Sequence, residues 1–128
     1  MSRTLLAANA LALLLMSTAG KAADRPSAES LPVPPGGTRE QVALGDRIFH
    51  GEAAGGKCSQ CHGWDAKGSP TGNDLTTGMW IWGDGSVRAI KATIGHNMEM
   101  APGMDGQLTA GDVDAVTAYV WALGHQRK

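Results

Sequence analysis

The stretch CSQCH, Cys58 to His62, sets the chain's only two cysteines three positions apart and follows them at once with a histidine. A disulfide framework or a structural zinc site would draw on further cysteines or on paired histidines. The chain offers neither, because His50, His96 and His125 are scattered without the H-x₃₋₅-H spacing. A thioredoxin-like redox pair also uses C-x-x-C, but in a strand running into a helix, and no β-type alternation precedes Cys58. Covalent haem attachment is the reading this favours. In C-x-x-C-H each thiol adds across one haem vinyl group, and the adjacent histidine is left beneath the porphyrin as an iron ligand. Cys58 and Cys61 lie about one helical turn apart, so both sulfurs can reach one edge of the ring while His62 points at its centre. A Cys58–Cys61 disulfide is the alternative.

Such thioethers are made after export, and the N-terminus reads as an export signal. Arg3 precedes a short apolar run, Leu5 to Met16, and small residues follow in STAGKAAD. The expected cleavage lies after Ala22, making 1–22 a signal peptide and the location periplasmic. The apolar run is short for a bilayer and no second one follows, so no membrane span is expected after cleavage. No cysteine near the cut offers a lipid attachment point. The remainder has the length of one small domain. Of the 11 basic residues, Arg3 and Lys21 leave with the leader, against 12 acidic residues. That mildly acidic balance disfavours nucleic acid or anionic membrane as a partner.

Residues 23–37 read as a Pro/Gly-rich tether, because Pro32, Pro34 and Pro35 oppose helix and Gly36–Gly37 punctuates the end. A domain over 38–125 follows. Thr38 stands three residues before Gln41, a capping box that opens a first helix through Phe49. Gly45, four residues before Phe49, leaves room for another helix to approach. A second helix is predicted at SVRAIKATIG, with Val87, Ile90 and Ile94 at helical spacing and Gly95 as its stop. The third starts at Thr109 with Asp112 and carries Val113, Val116, Tyr119, Val120 and Leu123 as its stripe, ending at Gly124. No strand or internal repeat is evident.

These pieces together resemble class I cytochromes c: GDRIF for the N-terminal helix, CSQCHGWDAKG for attachment, GNDLT for the loop over the histidine, and VTAYVWAL for the last helix. The region LTTGMWIWGDGSVRAIKATI is similar to small cytochrome domains found beside periplasmic dehydrogenases and in haem-copper oxidase cytochrome subunits. The resemblance implies an all-α fold, three main helices and loops around one covalently attached haem c. It implies that a main-chain carbonyl of the GNDL stretch, at Asn73, holds the outer nitrogen of His62, with Pro70 the nearest substitute. It also implies a methionine as sixth ligand, upstream of the last helix and near a proline. Met100, with Pro102 following, occupies that place; Met98, Met104 and His96 are alternatives. A thioether favours ferrous iron and raises the potential relative to a second imidazole.

With only six aromatic residues, Phe49, Trp64, Trp80, Trp82, Tyr119 and Trp121, the domain is expected to need the haem to complete its core. Burying several hundred Å² of porphyrin would contribute on the order of 10 kcal/mol, so the chain without haem should fold poorly. Trp80 and Trp82 are candidates for lining the haem edge or bonding a propionate. The glycines of GEAAGG read as a flexible turn. No nucleophile–base pair or catalytic carboxylate pair is evident, and Asp112 and Asp114 suit a helix start. The expected function is therefore a single-electron carrier and not an enzyme, with His62 and Met100 as axial ligands. Periplasmic dehydrogenases or a membrane oxidase or reductase are the expected redox partners, met as a monomer in transient complexes near Lys57. The alternatives are a cytochrome subunit of a periplasmic dehydrogenase complex and a small peroxidase-like haem enzyme.

Overall fold

The computed structural model describes residues 24–100 and 108–127, and of residues 99 and 100 the backbone alone. Four helices follow one another in it: α1 (Arg39–Phe49), α2 (Cys58–His62), α3 (Val87–Met100) and α4 (Ala110–Gly124). Among the described residues no strand forms; the nearest thing is an isolated bridge between Ser69 and Gly72. No helix there is long and apolar enough to cross a membrane. The expected all-α fold is present, with the attachment motif itself forming a short fourth helix.

The two long outer helices begin as their sequences require. Gln41 N donates to Thr38 Oγ1 at 3.1 Å and Thr38 N to Gln41 Oε1 at 3.0 Å, closing the capping box of α1. Thr109 and Asp112 repeat it at α4, at 3.1 and 3.0 Å. Each box satisfies backbone donors that the first turn would leave orphaned.

The core is the crossing of α1 over α4. Gly45 makes the close approach possible, because a Cβ there would stand 2.0 Å from the Ala115 carbonyl oxygen and 2.7 Å from Tyr119 Cβ. Around it Val42, Ile48, Phe49, Val116, Tyr119 and Leu123 are fully enclosed. Phe49 meets Tyr119 edge-on, with centroids 5.3 Å apart. Burying one such side chain contributes about 1.5–3 kcal/mol, so this crossing supplies much of the framework to which the remaining loops attach.

Two sequence expectations are corrected by the fold. Gly95 does not stop α3, which runs on to Met100. A glycine ends a helix by taking a left-handed φ, and Gly95 is absent from the positive-φ glycines and has nothing within 4 Å of its Cβ position. The described part of the Pro/Gly-rich stretch, 24–37, lacks helix as expected but is fastened to the domain. Leu31 is 2 % exposed and Ala28 is buried. Arg39 Nη1 donates to the carbonyls of both, at 2.6 Å each, and Arg25 is paired with Asp46 and Glu52. These contacts hold an irregular segment that has no ladder of its own.

Candidate functional site

A cavity of about 740 Å³ opens beside the α1–α4 crossing, within the range of small-molecule and cofactor sites. Cys58, Cys61 and His62 of α2 share its lining with Ile90, Ile94 and Met98 of α3, Phe49 of α1, and Val116 and Val120 of α4. The three residues singled out in CSQCH are thus brought together on one cavity, as the spacing requires. Cys58 is half-buried and Cys61 exposed, and both are free thiols.

His62 is oriented by its neighbourhood. Its Nδ1 lies 2.8 Å from the Asn73 carbonyl oxygen. An N–H at Nδ1 donating there fixes the tautomer and leaves Nε2 with its lone pair free for a metal. This is the carbonyl expected from the GNDL stretch. The loop that presents it is pulled tight against α2: a Cβ on Gly72 would stand 2.5 Å from Cys61 O and 3.0 Å from His62 N. Ser69 Oγ donates to Cys61 O at 2.5 Å. Ser69 was not among the residues marked by sequence, because an isolated serine carries no periodicity or spacing signal.

The residues expected to offer a second ligand fall only partly within the described residues. Met98 is half-buried and lines the cavity. The backbone of Met100 closes α3, but its side chain, and all of Met104, lie outside the described residues. His96 is exposed and does not line the cavity. The Trp80 ring is slotted between two glycines, where a Cβ on Gly85 would stand 2.1 Å from its Nε1 and one on Gly124 would stand 2.5 Å from its Cζ2. Ile81 and Trp82 line the same cavity while 65 % and 71 % exposed. Lys57 lies at the rim and is exposed.

The residues present fit a covalently held haem. Two thiols one helical turn apart, an imidazole with one nitrogen tied off, and a large, mainly apolar hollow are found together. Cys58, Cys61 and His62 would hold the group, which supplies an iron able to exchange one electron. The chain's own part is to fix the imidazole through Asn73 and to enclose the ring in apolar side chains.

Comparison with known proteins points the same way. The Cytochrome c family profile matches residues 42–124. The chain is 36% identical over 77 residues to the cbb3-type cytochrome c oxidase subunit FixP of Rhizobium etli, covering 52% of this chain and 26% of that protein. It is 37% identical over 86 residues to the subunit CcoP of Rubrivivax gelatinosus, covering 66% of this chain and 26% of that protein. A FixP of a Bradyrhizobium strain is 30% identical over 93 residues, covering 67% of this chain and 32% of its own length. The chain therefore spans about a quarter to a third of the length of these relatives. No solved structure matches it significantly.

Proposed function

The chain belongs to the cytochrome c family and carries covalently bound haem c, and from that premise we propose that it is a periplasmic single-electron carrier whose iron is held by His62 and Met100. The observation that carries this reading is the His62–Asn73 hydrogen bond of 2.8 Å on the same cavity wall as both thiols. It presents one imidazole nitrogen, in one tautomer, to one position in the hollow. Cys58 and Cys61 form the two thioethers. Met100, at the end of α3, supplies the other axial ligand. With His62 and Met100 both holding the iron, the bound haem would exchange one electron without losing a protein ligand, and the exposed Cys61 marks a side that a partner could reach. The donor and acceptor are other redox proteins, met in transient complexes.

A stable place within a larger respiratory assembly is the second reading. It is favoured by one observation: the relatives are themselves named as subunits of cbb3-type oxidases. Co-purification of the chain with an oxidase or dehydrogenase from native membranes would decide for it.

The carrier reading is tested with haem-loaded protein made by a cytochrome c maturation system. Acid–acetone extraction should leave the haem on the chain, and the ferrous protein should resist carbon monoxide at neutral pH in stopped-flow mixing. Rapid carbon monoxide binding together with peroxide turnover would instead establish an open-site haem enzyme.

A further inference from the structure

His50 takes no part in the site described above, yet its side chain is fully enclosed and both of its ring nitrogens face oxygen. Nδ1 lies 2.8 Å from the Asp46 main-chain carbonyl and 2.9 Å from Asp46 Oδ1. Nε2 lies 2.7 Å from the Trp64 carbonyl. A neutral imidazole has one N–H and would set a lone pair against an oxygen at its other end, whereas an imidazolium donates at both. Burial opposes the charge, but the Asp46 carboxylate and the two carbonyls outweigh it and raise the proton affinity of His50.

The surroundings balance that charge. Asp46, on the same helix, also receives Arg25 Nε at 2.8 Å from the N-terminal segment. Arg25 reaches on to Glu52, in the turn after α1, at 2.5 Å. From α4, Tyr119 closes the cluster with its ring 6.0 Å from that of His50, and burial together with Asp46 holds its hydroxyl neutral. Two cations and two carboxylates therefore cancel when His50 is protonated, and a net negative charge remains when it is not.

The cluster adjoins the cofactor cavity. The Phe49 ring lines that cavity and lies 5.0 Å from the His50 ring and 6.4 Å from the His62 ring. A charge at His50 thus sits two ring contacts from His62, across packed apolar atoms that screen it far less than water would.

We propose that His50 is a redox-linked proton site: the proton on its buried ring binds more tightly when the haem is reduced, and its loss lowers the reduction potential. The inference rests on His62 being the haem ligand. The electron comes from the donor protein and the proton from solvent beside Glu52, whose side chain is 45% exposed. Both leave on oxidation, and the only bond made or broken is N–H. Because the coupling is reciprocal, whatever reduction does to the proton the proton does to the potential.

The test is the reduction potential of the haem-loaded protein from about pH 5 to about pH 9, in the wild type and in His50→Gln. A tenfold difference in proton affinity between the two oxidation states appears as a fall of about 59 mV across the window. His50→Gln should abolish that fall and sit near the wild type's high-pH limit. The same tenfold difference should appear when the His50 ring nitrogens of the wild type are titrated by NMR in each oxidation state, a reading that stands even if the variant does not mature. A flat wild-type potential, an equal slope in His50→Gln, or identical titrations in the two states would each overturn the linkage while leaving the carrier reading intact. A chain that takes up no haem overturns both.

Discussion

The Nδ1 of His62 and the main-chain oxygen of Asn73 stand 2.8 Å apart, and a backbone atom thereby sets the orientation of a side chain eleven residues before it. The Asn73 side chain is dispensable for this role. Asn73→Ala should leave the ferric and ferrous spectra and the potential unchanged. Gly72→Ala should not, because its Cβ would press to 2.5 Å from Cys61 O and displace the turn that carries both ligand and thioether. Lower haem incorporation and a shifted spectrum in Gly72→Ala, beside a normal Asn73→Ala, is the expected pattern; the reverse pattern would assign the role to the side chain.

Met100→Ala should remove the sulfur-to-ferric-iron charge-transfer band and lower the potential, since a soft thioether favours the ferrous state. Met98→Ala and Met104→Ala should keep the band. Its loss in Met98→Ala alone would move the ligand two residues back along α3, to the methionine that lines the cavity.

Two glycines in helices should answer oppositely to alanine. At Gly45 the added Cβ meets the backbone of α4 at 2.0 Å, so the helices must part, at a cost of about 3 kcal/mol and a Tm fall of roughly 10–20 °C. At Gly95 the Cβ meets nothing within 4 Å, and alanine should stabilise by about 0.5–1 kcal/mol through the lost freedom of the unfolded chain. Thermal melts of the two haem-loaded variants check both signs. An unchanged Tm for Gly45→Ala would mean that the crossing is loosely held.

The Asp46–His50 pair gives stability two opposite pH limits. Burial works against the Asp46 charge, but hydrogen bonds from His50 and Arg25 hold its carboxyl below the ordinary value. Its contribution is present above about pH 4 and is lost as pH falls through the lowered value. His50 is raised, so its contribution is complete below about pH 6.5 and drains as pH climbs through the raised value. Both are whole only in the mildly acidic interval between. Asp46→Asn strands His50 and Arg25 and should cost about 3–5 kcal/mol there. Denaturant midpoints at several pH values should converge between wild type and variant toward both extremes; a constant gap would show that the pair's charge is irrelevant.

Much of this was legible in the sequence where the signal is local. Thr38 with Gln41, and Thr109 with Asp112, announce helix starts because each box is complete within four residues. Gly45 foretold the close approach, whereas the carbonyl at Asn73 followed from the family resemblance of GNDL and not from any local signal. What sequence missed depends on distant partners or on backbone angle. Arg25 reads as one charge in a proline-rich stretch until Asp46, 21 residues on, is seen to receive it. His50 reads as one of several scattered histidines until the fold brings Trp64 to its other nitrogen. Gly95 carries no mark of whether its φ will be left-handed, and that angle alone distinguishes a helix stop from a helix interior.

The meeting of Gly45 with Ala115 also has a kinetic side. It joins positions about 70 residues apart, and closing a loop of that length costs about 4 kcal/mol of chain entropy before any contact forms. The attachment motif, the Asn73 turn, Trp80 and α3 all lie inside that closed ring of chain. One nick in the exposed turn at Gly55 would open the ring and make the helix pairing an encounter between two molecules. Refolding that had been indifferent to dilution would then slow in proportion to it, and the red colour would follow the C-terminal piece.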